Sequence, residues 1–187
     1  MASIKEHCER LSTSQLQALL RAGARGDLRV ILPMVGSEAE WDAAMVILEE
    51  AKENLRRRKM AFNEDLPVGA MIEIPAAALA ARGLAARGCR SFCIGTNDLA
   101  QYTCAADRLD PLMEPYFRTD DPAVCRLVEM TVSAAKEAGI PVSVCGMDAG
   151  QPAHALRYIK MGVTHLSMPA QRIMEVKRHL RESTAGG

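Results

Sequence analysis

The sequence has no excess of charge of either sign: 23 Lys and Arg balance 23 Asp and Glu over 187 residues. A chain without net charge exerts no general electrostatic pull on nucleic acid or an anionic membrane surface, so neither is expected as a partner. Long hydrophobic runs are also missing. No window approaches the roughly 18 to 20 uninterrupted apolar residues of a membrane-spanning helix, and Met1 to Cys8 is too polar for a secretory signal, which makes the cytoplasm the expected location. Aromatic residues are scarce at 4% although 49% of the chain is hydrophobic, a balance that fits an α/β core built from aliphatic side chains. Cys8, Cys89, Cys93, Cys104, Cys125 and Cys145 are scattered, without the close double spacing of a structural zinc site. They are expected to be reduced and mostly buried as small hydrophobes. There is no low-complexity block, and the one marked charge run, Arg56 to Lys59, closes a predicted helix where cations complement the dipole.

What is present is an alternation of strand and helix signals. Val30 to Val35 reads as a buried strand, and Ser37 to Glu40 follows as a capping box opening a helix to about Met60. Val68 to Glu73 is a second strand, ended by Pro75, with an alanine-rich helix after it. Ser91 to Ile94 is a third strand, followed by a helical or looped Leu99 to Ala105 and a long connection through Arg108, Pro111, Pro115 and Phe117. Asp121-Pro122 reads as an N-cap with proline at the first helical position, and that helix stops at Gly139. A strand Pro141 to Cys145, a helix Pro152 to Met161, a strand Thr164 to Met168, a helix Pro169 to Leu180 and a frayed Gly186-Gly187 complete the chain. Five strands with intervening helices predict a parallel sheet with right-handed crossovers. A closed barrel of this type needs eight strands and about 250 residues, so the expectation is part of one.

Chemistry in such a sheet sits outside the carboxyl ends of the strands. Two strands end there in oxygen-bearing residues: Val68 to Glu73 in a carboxylate, and Ser91 to Ile94 in Gly95-Thr96-Asn97-Asp98. Two acidic groups on one rim, Glu73 and Asp98, suggest a hard divalent cation. For Glu73 the alternative is a surface carboxylate paired with an arginine. Asn97 and Asp98 also suit the cap of a following helix, a use compatible with ligation.

Together, Leu16 to Ala22, Leu32-Pro-Met34, Met71-Ile-Glu-Ile-Pro-Ala-Ala77, Ile94-Gly-Thr-Asn-Asp-Leu-Ala-Gln-Tyr102, Ala106-Asp-Arg108 and Val144-Cys-Gly146 resemble, in order and spacing, enzyme I of the bacterial phosphoenolpyruvate:sugar phosphotransferase system. The resemblance covers roughly Ser14 to Arg178. It implies the later portion of a phosphoenolpyruvate-binding, dimerising TIM barrel, with residues 1–187 forming a single partial barrel domain. By resemblance, Glu73 and Asp98 are the ligands of Mg2+, Asn97 contacts the phosphate, Arg108 binds the substrate's anionic oxygens, and Cys145 protonates the enolate carbon. The resemblance also implies that the phosphoacceptor histidine lies on a domain absent from this chain, so a phosphocarrier protein is reached only through that domain. His7, His154, His165 and His179 match no family motif and are expected to be surface or packing residues.

The pattern breaks in places. The family continues Cys-Gly with Glu and then Met or Leu, whereas this chain has Cys145-Gly146-Met147-Asp148, and Gln151 replaces an acidic residue. The early-strand arginines of the family are also not supplied. This chain alone is therefore not expected to complete phosphoryl transfer. A partial barrel would also bury its exposed edges against a second copy or another barrel portion. Two rival readings remain: a noncatalytic binding or regulatory homologue, and a fragment of pyruvate phosphate dikinase or phosphoenolpyruvate synthase.

Overall fold

The computed structural model describes residues 13–185; His7, Cys8 and the Gly186-Gly187 tail lie outside them. Strands β1 (Val30–Leu32), β2 (Val68–Ile72), β3 (Phe92–Gly95), β4 (Val142–Cys145) and β5 (His165–Ser167) pair in parallel, side by side in chain order. Between and around them run α1 (Thr13–Gly23), α2 (Glu38–Arg57), α3 (Pro75–Ala86), α4 (Thr96–Cys104), α5 (Pro122–Ala138), α6 (Pro152–Met161) and α7 (Ala170–Ala185). The expected α/β class and its five parallel strands are what the structure has. Neighbouring strands consecutive in sequence, each joined by a helix, form an open arc of the (β/α)8 type.

The helix ends follow from their local chemistry. Ser37 Oγ accepts from the Glu40 amide at 3.2 Å while Glu40 Oε2 accepts from the Gly36 amide at 2.5 Å, so the capping box starts α2. Asp121 Oδ1 accepts from the Ala123 amide at 2.8 Å, Pro122 opens α5, and Gly139 closes it at φ 66°. Helices α3 and α5 pack against each other, and Arg82 spans them with a two-pronged bond to Glu137 at 2.7 and 2.8 Å. In the Arg56 to Lys59 run, Arg56 bonds Glu49, Glu53 and Glu64 at the exposed end of α2, as a solvated helix terminus should.

Several boundaries differ from the sequence reading. The first strand stops at Leu32 instead of Val35, because Pro33 has no amide to donate and Met34 turns the chain at φ 56°. The third strand is shifted to include Gly95, and α4 begins at once at Thr96. The last strand is only His165–Ser167, and α7 runs on to Ala185. Among the described residues the cysteines are free, but only Cys89 and Cys93 are buried; Cys104, Cys125 and Cys145 are half-buried. No helix among the described residues is long and apolar enough to cross a membrane.

Strand alternation divides the sheet into two unlike faces. One carries Val30, Leu32, Ala70, Ile72, Phe92, Ile94, Val142 and Val144, all buried beneath the helices. The other carries Ile31, Met71, Cys93, Ser143, Cys145, His165 and Ser167, in register as Met71↔Cys93↔Ser143↔His165 and Gly95↔Cys145↔Ser167. On this second face the residues pass from buried at β3 to exposed at β5.

Candidate active site

The second face reaches its chemistry in its last row. Continuing the β2–β3 register one step past Ile72↔Ile94 sets Glu73 beside Gly95, so that Glu73, Gly95, Cys145 and Ser167 make one line across four strands. Strands lie about 4.8 Å apart, which puts Glu73 and Cys145 roughly 10 Å apart with only a glycine between them. A Cβ at residue 95 would lie 3.0 Å from Glu73 Cβ, 3.2 Å from its Oε2 and 3.5 Å from Met71 Sδ, so the absence of a side chain there is what admits Glu73. Glu73 is 5% exposed and its Oε1 accepts from the Met34 amide at 2.7 Å, which excludes the loose surface carboxylate.

Asn97 and Asp98 do not lie in a loop and do not cap α4 with their side chains. The cap position is Gly95, and both residues belong to the first helical turn, where an acidic group is favoured by the helix dipole. Arg108, at the start of the long connection, pairs with Asp98 at 3.1 Å and receives its backbone anchor from Gln101 Oε1, which accepts from the Arg108 amide at 3.2 Å. The structure thus brings Arg108 to Asp98, and Cys145 to the row of Glu73. Among the described residues there is no cluster of three or more His, Cys, Asp or Glu side chains able to hold a metal by themselves.

Cys145 has a neighbour that the sequence reading passed over. Cys93 lies one row below on the adjoining strand, its Sγ in hydrogen-bond contact with Cys145 Sγ at 3.4 Å, and Cys145 Sγ also lies 3.6 Å from the Ile94 carbonyl oxygen. When the pair gives up one proton, it is that of Cys93: the bond from Cys145, with help from Ser143, lowers the Cys93 thiol to about 6. The same contact, together with burial, pushes Cys145 well above the ordinary thiol range. Cys145 is held as a thiol. The alternation of sides along β3, two residues before Gly95, is the signal that would have revealed Cys93.

Asp148, the carboxylate one place late in the sequence, has contacts that the sequence did not reveal. It is 4% exposed, its Oδ1 accepts from the Thr96 hydroxyl at 2.6 Å, and its Oδ2 accepts from the Tyr158 hydroxyl. Burial, and then the Asp148 charge, raise Tyr158 above its ordinary range, so this hydroxyl stays a donor. His154 Nδ1 approaches the same carboxylate at 3.7 Å, so His154, partly exposed, packs against the site's support. Gly146, at φ 143°, lets the chain pass: a Cβ there would lie 2.4 Å from Thr96 Oγ1. The carboxylate displaced by one residue from the family pattern therefore ties the β4–α6 loop to the first turn of α4.

Residues 2–185 match the family described as PEP-utilising enzyme, PEP-binding domain. Among curated proteins, a phosphoenolpyruvate-protein phosphotransferase of Cupriavidus necator is 41% identical over 167 residues, covering 89% of this chain and 28% of the relative. One of Streptococcus equinus is 38% identical over 180 residues, covering 96% and 31%. The chain thus spans less than a third of these relatives' length. Among solved structures, a citrate lyase from Burkholderia xenovorans aligns with a TM-score of 0.68 at 19% identity, covering 91% of this chain and 54% of that one. A malate synthase from Haloferax volcanii aligns at 0.62 and 16% identity, covering 89% and 49%. These two show a shared fold.

Proposed function

The chain belongs to the PEP-binding domain family of the PEP-utilising enzymes, and from that premise we propose that its uncovered rim binds phosphoenolpyruvate with magnesium, as the substrate-binding part of a phosphoenolpyruvate-protein phosphotransferase. The single observation that carries this reading is the row Glu73–Gly95–Cys145, a carboxylate and a protonated thiol on either side of a glycine.

The donor set suits Mg2+, which is commonly held by one or two carboxylates and completed by substrate phosphate and water. Glu73 and Asp98 would hold it, and when bound it would offset the charge of the transferring phosphoryl group. The Asn97 amide orients a phosphate oxygen, and the Arg108 guanidinium takes two anionic oxygens in its fork. The Asp98–Arg108 pair does not bar substrate. With the two side chains about a third exposed, such a pair is worth roughly 0–1 kcal/mol, so both are cheaply released to a more highly charged ligand. Once the phosphoryl group has left for a histidine outside this chain, Cys145 gives its proton to C3 of the enolate, making the methyl group of pyruvate. Cys145 must be protonated for that step, and the bonding around it keeps it so.

The test is calorimetric titration of phosphoenolpyruvate into the chain with magnesium. Binding is expected, weakened at least tenfold in Glu73→Ala and in Asp98→Ala; no heat up to millimolar substrate would overturn the reading. A second reading, a noncatalytic module of the same family, is favoured by the self-satisfied Asp98–Arg108 pair. Such a module would hold a protein partner undiminished with Glu73, Asn97 and Asp98 all replaced by Ala.

A further inference from the structure

Helix α5 packs closely on α3, but on its other side an open cleft of about 530 Å³ lies between it and α6. The cleft is lined by Glu129 of α5 and by Ala153, Leu156, Arg157, Lys160 and Met161 of α6. Both helices lie over the covered face of the sheet, so the cleft stands apart from the row of Glu73 and Cys145. Three buried side-chain nitrogens among the described residues have no hydrogen-bond partner: His154 Nδ1, which faces the Asp148 carboxylate at 3.7 Å, and Nε and Nη2 of Arg157. We propose that the cleft is a second anion site, in which Arg157 and Lys160 hold the phosphate of a small organic phosphate.

Nε and Nη2 form the edge of a guanidinium that takes two oxygens side by side. Elsewhere in this chain the same edge always grips a carboxylate when it is used: in Arg56 it holds Glu64 at 2.9 and 2.7 Å, in Arg82 it holds Glu137 at 2.8 and 2.7 Å, and in Arg118 it holds Asp120 at 3.1 and 3.2 Å. In Arg157 the edge is empty. A guanidinium keeps its charge when buried, so its N–H groups require acceptors. The carboxylates along α5 are already engaged. Asp120 is held by Arg118, Asp121 caps the helix, and Glu129 pairs with Arg126 at 3.3 Å. Burial raises the Cys125 thiol and the Arg157 charge draws it back, which sets the guanidinium beside the first turn of α5. Its Cζ lies 5.2 Å from the centre of the Tyr158 ring, so one face is covered and the side chain has the cleft to turn into. Lys160 stands three residues on, on the same face of α6. A phosphate monoester carries about two negative charges at neutral pH, which these two cations match, and Ala153, Leu156 and Met161 offer an apolar wall to the attached carbon chain.

This site does not rest on the substrate reading of the rim. The test is calorimetric titration of glycerol 3-phosphate into the full chain, with glycerol as the control, in Arg108→Gln so that the rim lacks its guanidinium. Saturable binding is expected for glycerol 3-phosphate and none for glycerol, with inorganic phosphate competing. Adding Arg157→Gln or Lys160→Gln should each weaken it at least about tenfold, as loss of a bond to a charged group does. Lys160 is exposed, so its variant keeps the fold and decides the matter even where Arg157→Gln does not fold. No heat up to millimolar ligand, or binding unchanged by Lys160→Gln and Arg157→Gln, would overturn the proposal. Phosphoenolpyruvate titration of the unaltered chain with magnesium tests the rim separately, since Glu73→Ala and Asp98→Ala weaken only binding there.

Discussion

Proton ownership between Cys93 and Cys145 has a direct pH signature. A thiol lowered to about 6 keeps its thiolate as the solution is acidified from the ordinary thiol range and loses it only as the pH falls through 6, whereas a thiol raised above that range stays protonated in mild alkali. Alkylation by iodoacetamide, followed peptide by peptide, should give Cys93 a midpoint near 6 and leave Cys145 slow at pH 9; a common ordinary midpoint for both would refute the unequal sharing. Gly95→Ala tests the close approach of Glu73 beside them. Its Cβ would press on Glu73 at 3.0 Å, so substrate affinity should fall about tenfold or more with the fold intact, read by titration beside circular dichroism. Glu73 and Asp98 were legible in the sequence because apolar runs ended abruptly in acids. Cys93 was not, since a cysteine within an apolar strand looks like any small core residue until the register shows which face it takes.

Among the elements, the loop from β4 to α6 is held by a carboxylate with two hydroxyl donors. Tyr158→Phe removes one donor from a buried acceptor without leaving a large cavity and should cost about 1–3 kcal/mol. Asp148→Ala strands the Tyr158 hydroxyl and leaves that of Thr96 only its longer bond to the Cys145 carbonyl at 3.3 Å, and should cost about 2–4 kcal/mol by the same reasoning. Urea unfolding measures both, and a loss below about 0.5 kcal/mol in each would mean that the network does not hold the loop. Because Thr96 opens the helix that carries Asn97 and Asp98, both variants should also weaken substrate binding. Helix starts such as Ser37 and Asp121 were readable because a cap is a local contract between residues three or fewer apart. The Asp148 contacts were not readable: they join residues 52 and 10 positions apart, and sequence showed only a carboxylate one place late.

In the whole molecule, the five strands were legible from alternation alone, but not what lies over the second face. Among the described residues, β1 and β5 each pair on one side only, and the inner-face residues of β5 are exposed. Unpaired edges and an uncovered face favour association, so light scattering at micromolar concentration should find a dimer, and a monodisperse monomer would count against it. The same sequential order has another consequence. Each ladder joins neighbours in the chain, so a cut in the exposed stretch around Leu109 and Leu112 severs one ladder, β3 with β4, and leaves every other pairing within its own piece. Two separately produced halves would then meet along that seam and the α3–α5 contact, with Cys93 on one half and Cys145 on the other, and the rim would come into being only when the halves join.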